Sequence, residues 1–158
     1  MANLVKILCK GGNDLYVSIR GDKVVLAHDD PNDRTQQWNS VATTLTDDSG
    51  QTAFALVNEG TRQVMVIKEK YNGTRHAQLA PYAEDERVLI SMLWTMVWEV
   101  HGDGFHQLAM LRNSTEVLDA EGGNSEGTIL GLFSSHYSYQ HYVDTNQLWK
   151  FLPVSGSE

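Results

Sequence analysis

Three tryptophans divide the chain into near-equal lengths. Trp38 and Trp94 lie 56 residues apart, and Trp94 and Trp149 lie 55 apart, in a sequence of 158. Two of them share a local setting, Gln36-Gln37-Trp38 and Gln147-Leu148-Trp149, with an amide two residues before the indole. At Trp94 the corresponding residue is Met92, so only the apolar anchor is kept. A large aromatic returning at a long fixed period marks an internal repeat, and restricts the fold to architectures in which three similar units bury one another. In a strand, residues two apart face the same side. Gln147 and Trp149 are therefore expected to point inward together, the amide bonding buried backbone while the indole fills the core.

Between the tryptophans the chain consists of short β-branched runs cut by glycine and Asn/Asp turns. Examples are Leu15-Tyr16-Val17-Ser18-Ile19, then Gly21-Asp22, then Val24-Val25-Leu26. Such runs are hairpin-linked strands, and no span keeps the apolar spacing of a helix for long. The chain is expected to be all-β, in repeats at about 1–46, 47–97 and 98–153 of one domain. Units this small cannot bury an apolar face alone, and closing into a barrel removes their exposed edges. Periodicity by itself leaves a sandwich open beside a threefold barrel.

Composition narrows the partners. A net charge of −8 argues against nucleic acid, which is bound by neutralising phosphates, and against anionic membrane surfaces. The longest apolar runs, such as Val64 to Ile67, fall far short of the roughly 20 residues of a membrane helix, so no membrane insertion is expected. The single cysteine, Cys9, and a start without a signal-peptide pattern lead to the expectation of a cytoplasmic or nuclear protein. Asn72-Gly73-Thr74 and Asn113-Ser114-Thr115 are then bare turn sequences. No catalytic motif and no phosphate-cradling glycine loop stands out, so neither an enzyme nor a cofactor is expected. His136 and His141 lack a third ligand at motif spacing, and no metal site is expected.

The two Gln-x-Trp motifs, with Val24-Val25-Leu26-Ala27, Ala53-Phe54-Ala55-Leu56-Val57-Asn58 and Leu93-Trp94-Thr95, resemble the ricin-B-like lectins, most of all their plant Euonymus-lectin and R40-type domains. The resemblance covers almost the whole chain and implies a β-trefoil with three pseudo-threefold repeats. It also implies a shallow carbohydrate pocket in which an Asp, a later aromatic and an Asn-Gln pair before the repeat tryptophan converge. Asp119, Phe133, Asn146 and Gln147 stand at those places in the third repeat, with steps of 14 and 13 residues between the first three.

These residue types suit sugar chemistry, because an aromatic face accepts the C–H face of a pyranose while carboxylate and carboxamide groups pair with its hydroxyls. Asp119 would accept from two vicinal hydroxyls, Phe133 would stack, Asn146 would donate, and Gln147 would buttress Asp119. The family usually has Trp where this chain has Phe133, which implies weaker monosaccharide binding. Gly122, Gly123 and Asn124 would turn over the pocket, and His136, Tyr137, Tyr139 and His141 would form its far rim.

The first repeat has Val17 or Ser18 at the Asp119 place and Ala27 at the Phe133 place; the second has Met65 or Val66, and Ala80. One site is expected. Plainer readings stay open: Asp119 as a turn cap, Phe133 as an inward core residue, Gln147 as purely structural.

The expected function is recognition of galactose- or mannose-type glycans or glycoproteins, and a chain with one site would crosslink cells only as a homodimer. The alternative is a non-catalytic protein-interaction trefoil that has lost useful sugar binding. A trefoil protease inhibitor is disfavoured by the single cysteine, since those usually carry disulfides.

Overall fold

A computed structural model describes residues 3–69, 73, 75–82, 90–97, 102–111, 113–121, 123–135 and 144–154 of the protein. The strand expected at Trp98-Glu99-Val100, the acidic run Glu84-Asp85-Glu86, Gly122, His136, Tyr137, Tyr139 and His141 lie outside the described residues.

The strands are β1 (Asn3–Cys9), β2 (Leu15–Arg20), β3 (Lys23–His28), β4 (Trp38–Thr46), β5 (Thr52–Asn58) and β6 (Gln63–Glu69). They continue as β7 (Arg75–Pro81), β8 (Trp94–Val97), β9 (Gln107–Met110), β10 (Asn113–Ala120), β11 (Leu130–Ser134) and β12 (Trp149–Pro153). Every pairing is antiparallel. β1 pairs with β4, β4 with β5, β5 with β8, β8 with β9, and β12 with β1. A bridge between His106 and Trp149 joins the β9 end to β12 and closes the ring.

The remaining strands form the hairpins β2–β3, β6–β7 and β10–β11. These meet one another through Val25 with Ile129 and Gly131 with His76. A closed barrel capped by three hairpins, built from a four-strand unit repeated three times along the chain, is the β-trefoil.

Each tryptophan opens the fourth strand of its unit and pairs on both sides: Trp38 with Val5 and Asn58, Trp94 with Phe54 and Met110, Trp149 with His106 and Cys9. All three indoles are buried in one apolar core with Val17, Met65 and Leu118 of the hairpins. The indole N–H of Trp38 donates to Val17 O and that of Trp149 to Leu118 O, both at 3.0 Å, so barrel and cap are tied at equivalent points. Trp94 Nε1 is buried without a hydrogen-bond partner among the described residues.

One expectation is corrected here. Gln36 and Gln147 are not strand residues: each ends a single 3-10 turn, Arg34–Gln36 and Thr145–Gln147, and the strand begins two residues later at the tryptophan. Asp33 and Asp144 cap these turns by accepting the backbone N–H two residues on. The amides still point inward, because the tight turn rolls its last side chain toward the barrel before the chain extends. Ile90–Met92 forms the matching turn in the second repeat.

Cys9 sits in the core opposite Trp149. Burial, reinforced by the negative charges of Asp119 and Asp144, raises its thiol from the ordinary 9.0 to about 11.

Two predictions follow from this packing. Trp149→Phe shrinks a filled site and strands the Leu118 carbonyl, whereas Trp94→Phe breaks no bond among the described residues. Trp149→Phe should therefore cost about 1–3 kcal/mol more in urea unfolding, and equal losses would show that the indole bond contributes nothing. The protonated thiol of Cys9 is favoured in the folded state, so its contribution is complete below pH 9 and is lost as pH rises through about 11. Iodoacetamide labelling of the native protein should accordingly lag that of the urea-unfolded chain across this window, and equal labelling rates would refute the raised value.

Candidate functional site

The hairpin β10–β11 supplies two of the four candidate residues. Its register sets Asp119 opposite Gly131 and Val117 opposite Phe133, so Asp119 and Phe133 are diagonal neighbours on one face. The Phe133 ring is 43% exposed, which settles its orientation: it is surface, not core. Asp119 is 6% exposed. Gly131 is required at its place, because a Cβ there would lie 2.7 Å from Arg75 O and 2.9 Å from Glu121 Cδ. Glu121 Oε2 lies 2.9 Å from His76 Nε2, and Glu116 forms an ion pair with Arg75, so two polar contacts bind this hairpin to β7.

The Thr145–Gln147 turn supplies the other two. Gln147 is buried, and its Nε2 donates to Asp119 Oδ2 at 2.8 Å and to Ser134 O at 2.9 Å. Gln107 Nε2 in turn donates to Gln147 Oε1 at 3.2 Å, and Ser135 Oγ donates to Gln107 Oε1 at 2.8 Å. Ser135, Gln107, Gln147 and Asp119 thus form a head-to-tail series in which every N–H or O–H is directed toward the carboxylate. Bonds in such a series polarise one another, and a nearly buried carboxylate is tolerable only where donors of this kind meet it.

Asn146 has its backbone N–H on Asp144 Oδ1 at 3.0 Å, and its carboxamide makes no hydrogen bond among the described residues. That carboxamide lies against Gly11, where a Cβ would stand 2.4 Å from Asn146 Oδ1. Asn146 and Asp119 are coupled indirectly, through Gln147. Asn124, expected to turn over the pocket, is bonded to the residue that abuts the Asn146 carboxamide. Its Nδ2 donates to Gly11 O, tying the 123–128 turn to the end of β1.

The equivalent positions of the first two repeats can now be named. Val17 O and Leu118 O accept the equivalent indoles, so Ser18 stands where Asp119 does, and the second repeat has Val66. Ser18 is buried and donates to Tyr16 O, while Gln36 is occupied by His28 O and the Asp30 N–H. Val66, Met92 and Leu93 belong to a second apolar cluster against which Ala80 and Tyr82 pack. Ala27 and Ala80 sit two residues beyond Val25 and Gln78, the partners of Ser18 and Val66, as Phe133 sits two beyond Gly131. Among the described residues, only the third repeat has at this place a carboxylate bonded to the turn glutamine with an exposed ring diagonal to it.

Gln107 and Ser135 were missed by sequence reasoning. The available signal was a glutamine beside the apolar run Leu108-Ala109-Met110, where only a satisfied amide can be buried.

No protein-family model matches the chain. Among curated proteins it is 32% identical to the ricin B-like lectin EULS3 of Arabidopsis thaliana, over 94% of this chain and 47% of that protein. It is also 32% identical to the ricin B-like lectin R40G3 of Oryza sativa subsp. japonica, over 94% of this chain and 72% of that one. The chain spans about half the length of several of the curated relatives it matches. Solved structures of similar fold include a designed threefold-symmetric protein, ThreeFoil, with TM-score 0.71, 19% identity and coverage of 96% of this chain and 99% of that one. Another is the Macrolepiota procera ricin B-like lectin in complex with lactose, with TM-score 0.68, 12% identity and coverage of 96% and 95%. On its sequence likeness to R40G3 and its relatives, and on its trefoil fold, the chain belongs to the ricin B-like lectins.

Proposed function

We propose that the protein binds carbohydrate through one shallow site in its third repeat, with galactose- or mannose-type glycans as ligands. The observation that carries this reading is the donor series from Ser135 through Gln107 and Gln147 to Asp119. It holds the Asp119 carboxyl in one orientation at the base of a face whose neighbouring residue, Phe133, is open to solvent. A carboxylate fixed in this way accepts hydroxyl hydrogens without reorganising, and the ring offers the adjacent apolar surface a pyranose needs. In this reading Asn146, whose carboxamide makes no hydrogen bond among the described residues, supplies a further polar group to the sugar. Support also comes from the relatives, which are named lectins, and from the lactose in one solved neighbour.

The protein-interaction reading has one observation in its favour, the near-closure of Asp119 at 6% exposure, which leaves a narrow edge for a ligand. Sugar-competed binding on a glycan array separates the two. Capture of a protein partner that free lactose and mannose leave unchanged would favour the second.

Asp119→Ala should reduce glycan affinity by about ten- to a hundredfold, the loss of charge-assisted hydrogen bonds, with circular dichroism unchanged. Undiminished binding by Asp119→Ala would remove this site from consideration. Phe133→Ala should weaken binding about three- to tenfold and Phe133→Trp should strengthen it, both read by titration calorimetry. Gln107→Leu touches no part of the ligand in this reading, yet it should weaken binding by letting Gln147 and Asp119 turn. Gln107→Glu, which keeps an acceptor but not the donor, should not restore it.

A further inference from the structure

Beside the candidate pocket lies a cluster that the sugar-binding reading leaves unused. Lys10 Nζ stands 5.3 Å from the centroid of the Phe105 ring, and Lys150 Nζ stands 5.5 Å from the same centroid. Lys150 belongs to β12 and Lys10 follows directly on its partner β1: Leu8 faces Lys150 across the β1–β12 ladder, and Lys10 comes two residues after Leu8. Lys10 Nζ is 2.5 Å from Asp103 Oδ2, and this hydrogen bond holds the Asp103 carboxyl below its usual range. Asp103 is itself positioned, its other oxygen accepting the Phe105 N–H at 3.2 Å. Lys150 forms no ion pair among the described residues. Its stem fills the space above Gly104, where a Cβ would lie 3.1 Å from Lys150 Cε and where φ is +86°.

Among the described residues, the cluster at the Phe105 ring holds two ammoniums and the Asp103 carboxylate. The aromatic ring attracts both cations through its quadrupole but carries no net charge to neutralise them. The cluster also has an address. Lys10 N donates to Leu148 O at 2.9 Å and Gly11 N to Thr145 O at 3.0 Å, so the backbone of β1 is locked to the turn that carries Asn146. Gly11, the residue after Lys10, is the one that abuts the Asn146 carboxamide.

We infer that Lys150 and Lys10, held at Phe105, form an anion subsite at the Asn146 edge of the pocket. It takes a sulfate ester or a carboxylate on the sugar next to the one seated at Asp119. The inference rests on the proposed lectin site for its second half, the neighbouring sugar. The net negative charge of the chain repels polyanions at long range, so the occupant is a glycan with one or two acidic groups rather than a sulfated polymer.

Two measurements test this. In the first, inorganic sulfate is titrated into the protein while the lysine side-chain resonances are followed by NMR. Saturable shifts at Lys150 and Lys10, absent in Lys150→Gln, support the subsite; shifts spread evenly over all lysines, or none, overturn it whether or not the protein binds sugar. In the second, matched neutral, sulfated and sialylated galactosides are compared. The anionic members should bind about three- to tenfold tighter, a preference that high salt removes. Whichever of the two is preferred identifies the anionic group.

Lys150→Gln should lose the preference and keep neutral binding, and Lys150→Arg should restore it. A preference that survives Lys150→Gln, or tighter binding of heparin than of a singly sulfated galactoside, overturns the proposal. Neutral binding without any acidic preference defeats the subsite alone. Sulfate-specific shifts at Lys150 in a protein that binds no neutral glycan defeat the sugar pocket alone.

Discussion

The bond from an indole N–H to a carbonyl of the hairpin cap is the contact on which the third-repeat site depends. Trp149 belongs to the barrel and Leu118 to the cap, and their 3.0 Å bond sets the height at which the next residue, Asp119, meets the barrel turn carrying Gln147. The same bond from Trp38 to Val17 sets Ser18 at the equivalent height in the first repeat. A buried carbonyl needs a donor, and the indole supplies one from a side chain already committed to filling the core. Core packing and site placement are thus the work of one residue.

What each repeat builds at that height follows from how its polar atoms are satisfied. Ser18 turns back to its own strand, and Gln36 is occupied by backbone, so the first repeat is closed. The second replaces both groups with Val66 and Met92 and becomes a small apolar core of its own. Only the third keeps an acid, and burying it costs free energy that the donors of Gln147, backed by Gln107 and Ser135, must offset. The site is therefore a property of four segments, β9, the hairpin β10–β11, the residue that follows it, and the turn before β12. Divergence of the repeats has concentrated polar chemistry in one place and left hydrophobic packing in the others. At Phe105 an aromatic ring, a glycine and the Asp103 carboxylate hold two lysine side chains in the same way, by contacts between distant segments.

The sequence by itself determined three similar parts, marked by tryptophans at near-equal spacing, and its family resemblance turned those parts into a threefold barrel where periodicity left a sandwich open. The strands were legible in their β-branched runs and glycine turns, and the family was legible in segments spread over the whole chain. Asp119, Phe133, Asn146 and Gln147 were legible as candidates through their places in the third repeat. The tertiary structure decided how they stand: Phe133 outward, Asp119 nearly covered, Gln147 delivered by a 3-10 turn instead of strand alternation, and Asn124 bonded to Gly11. It alone brought Gln107 to Gln147, 40 residues apart, and Lys10 to Lys150 across the seam where the first and last strands pair. Local pattern reports which side chains a strand or turn can bury. Hydrogen bonds and charges that join distant segments exist only after the barrel has closed, because closure alone brings their partners within reach.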